Sequence, residues 1–121
     1  MAKGDDIQNR LVDFAVAIIK QCSQLPDTPA GRHIANQLLR CGTSPAPNYG
    51  EARGAESKND FVHKLKVVLK ELNESNVWLE ILRRSELVSA TALEQIQPEC
   101  IELCKIVNAS IQTVKRNGSS G

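Results

Sequence analysis

Apolar residues recur at three- and four-residue steps along most of the chain, and the phase of that recurrence marks out four helices. In the first, Ile7, Leu11, Phe14, Ile18, Cys22 and Leu25 form one stripe, which predicts a helix from about Asp6 to Gln24. Val12, Val16 and Ile19 are expected to widen its buried face. Pro26 stops this helix, and Thr28 followed by Pro29 reads as an N-cap with proline at the first helical position.

In the second helix, Ile34, Leu38, Cys41, Pro45, Asn48, Ala52 and Ala55 keep one phase straight through "RCGTSPAPNYGEARGAES". A disordered loop has no reason to keep phase. The stretch therefore reads as a helix bent or briefly broken near Pro45 and resumed before Glu51. Pro45 and Pro47 each remove a helical hydrogen bond and crowd the carbonyl four residues back, at a cost of about 3 kcal/mol or more apiece. Packing around the bend has to offset that cost; without it the same pattern is a loop. Asn48 and Glu51 beside the prolines can either satisfy freed backbone groups or face a ligand or partner.

The third helix opens at Ser57, a cap with Asp60 three residues on in place of the usual Glu. Phe61, Leu65, Val68, Leu72, Leu79 and Leu82 follow, with Ser75 interrupting the core pattern. A second apolar set, Val67, Val77, Trp78 and Ile81, projects from roughly the opposite side and is a candidate subunit interface. In the fourth helix Thr91 and Glu94 form the expected capping box ahead of Leu93, Ile96, Cys100, Leu103, Val107, Ile111 and Val114. Pro98 implies either a kink or a short first turn before the main helix. The expected fold is all-α, an antiparallel up-down four-helix bundle spanning residues 1–117 as one domain, with 118–121 a flexible tail.

Composition agrees with this. Hydrophobic residues make up 41% of the 121 and aromatics only 3%, so the core must be aliphatic, which suits helices. A formal net charge of +1 excludes strong global attraction to nucleic acid or membrane; any such surface has to be local. No apolar run is long enough to span a bilayer and "MAKGDDIQNR" has no signal-peptide core, so the expectation is a cytoplasmic protein with no membrane partner.

No phosphate-cradling glycine loop, H-E-x-x-H or G-x-S-x-G is present, so no enzyme activity and no cofactor are expected. Cys22, Cys41, Cys100 and Cys104 could take His33 or His63 into a zinc site, but C-x-x-C spacing is absent and buried thiols are the expected state. Glu51, Glu71 and Glu74 lack the Glu-x-x-His pairs of a di-metal bundle. Glu74 is a candidate structural partner for Arg40 or Arg53.

The sharpest local signal is basic. From Lys58 to Lys70 there are four lysines against the single acid Asp60, which makes Lys58, His63, Lys66 and Lys70 candidate contacts to RNA or DNA phosphates. Interleaved aromatics for base stacking are missing, so such contact would not read sequence. The plainer alternative is a solvated face on which Lys70 and Glu74 form an i,i+4 pair.

Taken together, "QLLRCGTSPAPNYGEAR" and "FVHKLKVVLKELNESNVWLEIL" resemble the four-helix bundle proteins encoded within 23S rRNA intervening sequences. That superfamily includes the accessory variability proteins of diversity-generating retroelements. The matching positions are Ser44, Asn48 and Glu51 in the second helix and Leu65, Glu74, Trp78 and Leu79 in the third. The chain departs from the pattern at Pro45 and Tyr49, where isoleucines are usual, at Ala52, where Gly follows the Glu, and at Glu71, where a small residue is common. The resemblance implies a non-catalytic bundle that assembles into a ring-like homopentamer. Retroelement relatives bind nucleic acid and a reverse transcriptase; a reverse transcriptase or another protein docked on the ring is the alternative partner.

Overall fold

The computed structural model describes residues 4–119. Its segments are α1 (Asp5–Cys22), α2 (Pro29–Thr43), α3 (Pro45–Arg53), α4 (Lys58–Ser85), α5 (Ala90–Leu93) and α6 (Ile96–Ser119). Four long rods result, because α2 and α3 run on as one bent helix and α5 is a single turn leading into α6. The chain travels up α1, down α2–α3, up α4 and down α6. α1 packs against α2, α3 and α6, and α4 against the same three, so α1 and α4 occupy diagonal corners. α6 runs on to Ser119, and the last two residues of the expected tail lie outside the described residues.

Each helix start has a local cause. The Thr28 side chain accepts the Gly31 backbone N–H, with Pro29 at the first helical position. The Ser57 side chain accepts the Asp60 N–H and so caps α4. At the fourth rod the expected Thr91–Glu94 box is replaced: Ser89 caps α5 by accepting from Ala92. Pro98 then falls in the first turn of α6, where a missing N–H costs nothing, which is the short-first-turn arrangement.

The bend is helical throughout. Ser44 joins α2 to α3 with φ −65° and ψ −37°, which rules out the loop alternative. Packing supplies the offset: Cys41, Pro45, Ala46, Tyr49 and Ala52 are all buried. Side-chain hydrogen bonds add to this packing. Asn48 Nδ2 donates to the Ser44 carbonyl at 2.9 Å and to Ser44 Oγ at 2.8 Å, and Gln8 Nε2 donates across from α1 to the Ala46 carbonyl at 2.8 Å.

The core is aliphatic. Leu11, Ile18, Leu38, Leu65, Val68, Leu72, Leu79, Leu82 and Leu103 are fully buried, each large apolar side chain contributing roughly 1.5–3 kcal/mol relative to exposure. Ser75 sits among them with no exposed surface, and its hydroxyl donates to the Glu71 carbonyl at 2.8 Å. Two expectations for α1 fail. The helix ends at Cys22, with Ser23 as cap; beyond it the Gln24 and Leu25 N–H groups reach back only three residues, to the Gln21 and Cys22 carbonyls, ahead of Pro26. Val12, Val16 and Ile19 are not part of the buried face; they remain exposed, on the side of α1 turned away from Leu11, Phe14 and Ile18.

Candidate nucleic-acid interface

Antiparallel packing of α4 on α6 brings the start of one beside the end of the other. Lys58, Asn59, Val62, His63 and Lys66 from the first turns of α4, with Val114 and Lys115 from the end of α6, line an open groove of about 560 Å³. Val62 and Val114 give it apolar walls, while Lys58, His63, Lys66 and Lys115 supply the basic side chains. Lys66 stands close enough to Lys115 to pull the latter's pKa down, since two ammonium groups side by side disfavour the second charge. None of Lys58, Lys66 and Lys115 makes an ion pair with a described carboxylate.

The basic strip is thereby divided. Lys58, His63 and Lys66 converge on the groove, whereas Lys70 is not among its lining residues. The expected Lys70–Glu74 pair does not form; Glu74 instead binds Arg40 and accepts from Trp78 Nε1 at 3.2 Å. Lys64 is occupied by Glu51 at 2.9 Å, which raises its pKa first through that hydrogen bond. Lys115 was missed because its distance in sequence from Lys66 hides a neighbour relation that only the pairing of α4 with α6 creates. The signal was the up-down topology itself.

The residues of the bend and polar set answer to separate partners. Pro45 is buried and Pro47 exposed, Asn48 closes on Ser44, Glu51 reaches Lys64, and Glu74 reaches Arg40. Glu71, the departure from the family pattern, also meets Arg40, at 3.2 Å. Arg53 pairs with Asp5 at 2.6 Å, not with Glu74.

The second apolar face of α4 is uneven. Val77 is 58% and Ile81 39% exposed, while Val67 and Trp78 are half-buried. The Trp78 ring meets His33 of α2 edge to face at 5.7 Å between centroids.

All four cysteines are free thiols. Cys22 donates to the Ala35 carbonyl and Cys100 to the Leu72 carbonyl, at 3.6 and 3.3 Å. Burial pushes the Cys22 thiol up to about 11, and a hydrogen bond with Cys104 raises Cys100 while lowering Cys104. Among the described residues no group of three or more His, Cys, Asp or Glu side chains is placed to hold a metal ion. No described helix is long and apolar enough to cross a membrane.

Residues 5–109 match the 23S rRNA-intervening sequence protein family. Among solved structures, the chain is similar to a protein of unknown function from the S23 ribosomal protein family of Bacteroides thetaiotaomicron. The TM-score is 0.81 and the identity 34%, over 87% of this chain and 97% of that one. No curated protein matches the chain.

Proposed function

Since the chain belongs to the 23S rRNA-intervening sequence protein family, we propose that it is a non-enzymatic, self-associating cytoplasmic bundle that binds the phosphate backbone of RNA or DNA through the α4–α6 groove. The observation that carries this reading is the gathering of Lys58, His63, Lys66 and Lys115 around one groove with no described carboxylate paired to its lysines. Lys66 and Lys115 stand side by side, and a phosphate between them would pair with both. The groove has no Phe, Tyr or Trp side chain, so its contacts are to backbone and do not read sequence.

Self-association is supported by Val77 and Ile81, which leave apolar surface uncovered on α4. Five copies is the number the family resemblance implies, and a ring would repeat the groove around its circumference, multiplying weak phosphate contacts by avidity.

A fluorescence-anisotropy titration of a structured RNA tests the groove. Lys66→Glu or Lys115→Glu should weaken binding at least tenfold, while Lys105→Glu, the same charge change on α6 outside the groove, should leave it within twofold. Equal losses from all three would mean that net charge alone attracts RNA, and the groove would lose its role.

A further inference from the structure

The lysine groove does not stand alone. Val114 lines it and also lines two further cavities at the same end of the bundle, so the three meet around that side chain. Lys58 borders both the groove and the middle cavity, of about 420 Å³. Phe61 borders both the middle cavity and the last, of about 480 Å³. Lys58 and Phe61 are three residues apart on α4 and therefore neighbours on one side of that helix.

The chemistry changes along this path. At the groove end stand Lys58, Lys66 and Lys115. The middle cavity carries Glu56, whose charge repels a phosphate and favours a neutral group. The last cavity is walled by Ile7, Tyr49, Phe61 and Val114. Its arginine, Arg53, is engaged by Asp5 at 2.6 Å, and Ser110 Oγ donates to the Ile106 carbonyl at 3.1 Å, which leaves that hydroxyl an acceptor. A β-carbon at Gly4 would stand 3.1 Å from the Tyr49 hydroxyl, so the missing side chain leaves room beside the ring. Phe61 is half-buried: it packs on the core and still borders both cavities. The two rings come from α3 and α4, which is why no aromatic interleaves with the lysines along the chain.

We infer that this end of the bundle takes an unpaired nucleotide, its phosphate among Lys58, Lys66 and Lys115 and its base passing Val114 to stack on Phe61 in the adjoining cavities. This rests on the phosphate-binding reading above and gives that groove its substrate class, a single strand or a strand end with a free base. Phosphate and base are joined within one nucleotide, as lysine and ring are joined within one turn of α4. The last cavity, about 480 Å³, lies inside the range of roughly 300–1,000 Å³ usual for small-molecule sites. A duplex keeps its bases stacked on one another and cannot offer one. Stacking accepts any base, so the site distinguishes paired from unpaired strands without reading sequence.

Anisotropy titrations of three short labelled strands with equal phosphate counts test this: oligouridylate, oligothymidylate and an abasic deoxyribose-phosphate strand. At least one base-bearing strand should bind the parent protein about fivefold or more tighter than the abasic strand, and its sugar identifies the ligand as RNA or DNA. Phe61→Leu keeps an apolar side chain against the core and removes the ring. It should abolish that advantage while leaving abasic binding within about twofold. Lys66→Glu should weaken all three strands. If the parent binds the abasic strand as tightly as the others, or if Phe61→Leu keeps the advantage, the stacking site is overturned while sensitivity to Lys66→Glu preserves the groove. Equal weakening of all three strands by Phe61→Leu would make the ring a support of the fold and overturn its stacking role. No binding of any strand at low salt would overturn the groove and this inference together.

Discussion

Gly42 of α2 packs directly on Ile18 of α1: a β-carbon at position 42 would lie 2.8 Å from both Cγ1 and Cγ2 of that isoleucine. The glycine therefore sets how closely the first two rods approach, just ahead of the bend. Ile18 is fully buried and has no free space to yield. Gly42→Ala should destabilise the fold by about 1–3 kcal/mol despite its better helix propensity. Ile18→Val in the same chain should recover part of that loss, which urea unfolding of the two singles and the double would read as a coupling.

Asn48 provides a second check, on the bend. Its amide donates to both the carbonyl and the hydroxyl of Ser44, just before Pro45. Asn48→Ala should cost about 1 kcal/mol in chemical denaturation, the typical net worth of such a hydrogen bond. Asn48→Asp should cost more, since a carboxylate cannot donate to the Ser44 carbonyl. Equal stability of Asn48→Ala and the parent would show that the bend is held by packing alone.

Acid stability should trace to Glu80. Hydrogen bonds from Arg83, Gln97 and Arg84, in that order, hold its carboxyl well below the usual carboxylate range. A pKa lower in the folded chain than in the unfolded one contributes stability above the ordinary carboxylate value, about 4.3. That contribution drains away as pH falls through and below this value. The stability gap between the parent and Glu80→Gln should therefore be widest near neutrality and close on acidification. A gap that stays constant with pH would contradict the assignment.

The thiols should differ in reactivity. Cys104 is half-buried and its pKa is lowered by Cys100, whereas burial holds Cys22 up and Cys100 is fully buried. Limited alkylation near pH 8 should label Cys104 first, because the thiolate is the nucleophile. Peptide mass mapping that found Cys22 labelled ahead of Cys104 would reverse this order.

The fold was legible because its main signals are periodic. Leu65, Val68, Leu72, Leu79 and Leu82 kept one phase, and the heptad through Pro45 distinguished a bent helix from a loop, both of which depend only on neighbours in sequence. The errors arose where one residue type serves two roles. Val12, Val16 and Ile19 are as apolar as Ile18, and nothing in their spacing says that the bundle has no fourth side for them. Thr91 and Ser89 are both competent caps two residues apart, and backbone geometry chose Ser89. At the groove, Lys58, His63 and Lys66 could be read from one helix. Lys115 could not, since its place beside Lys66 exists only once α6 folds back along α4.

The salt dependence of RNA binding tests the central claim most directly. If Lys58, Lys66 and Lys115 each displace a counterion from a phosphate, log affinity against log salt should fall with a slope of about −2 to −3 per groove. Reversing Lys66 to Glu should make that slope shallower as well as weaken binding. Absence of binding at low salt, or binding whose slope is unchanged by Lys66→Glu, would contradict a phosphate-binding groove.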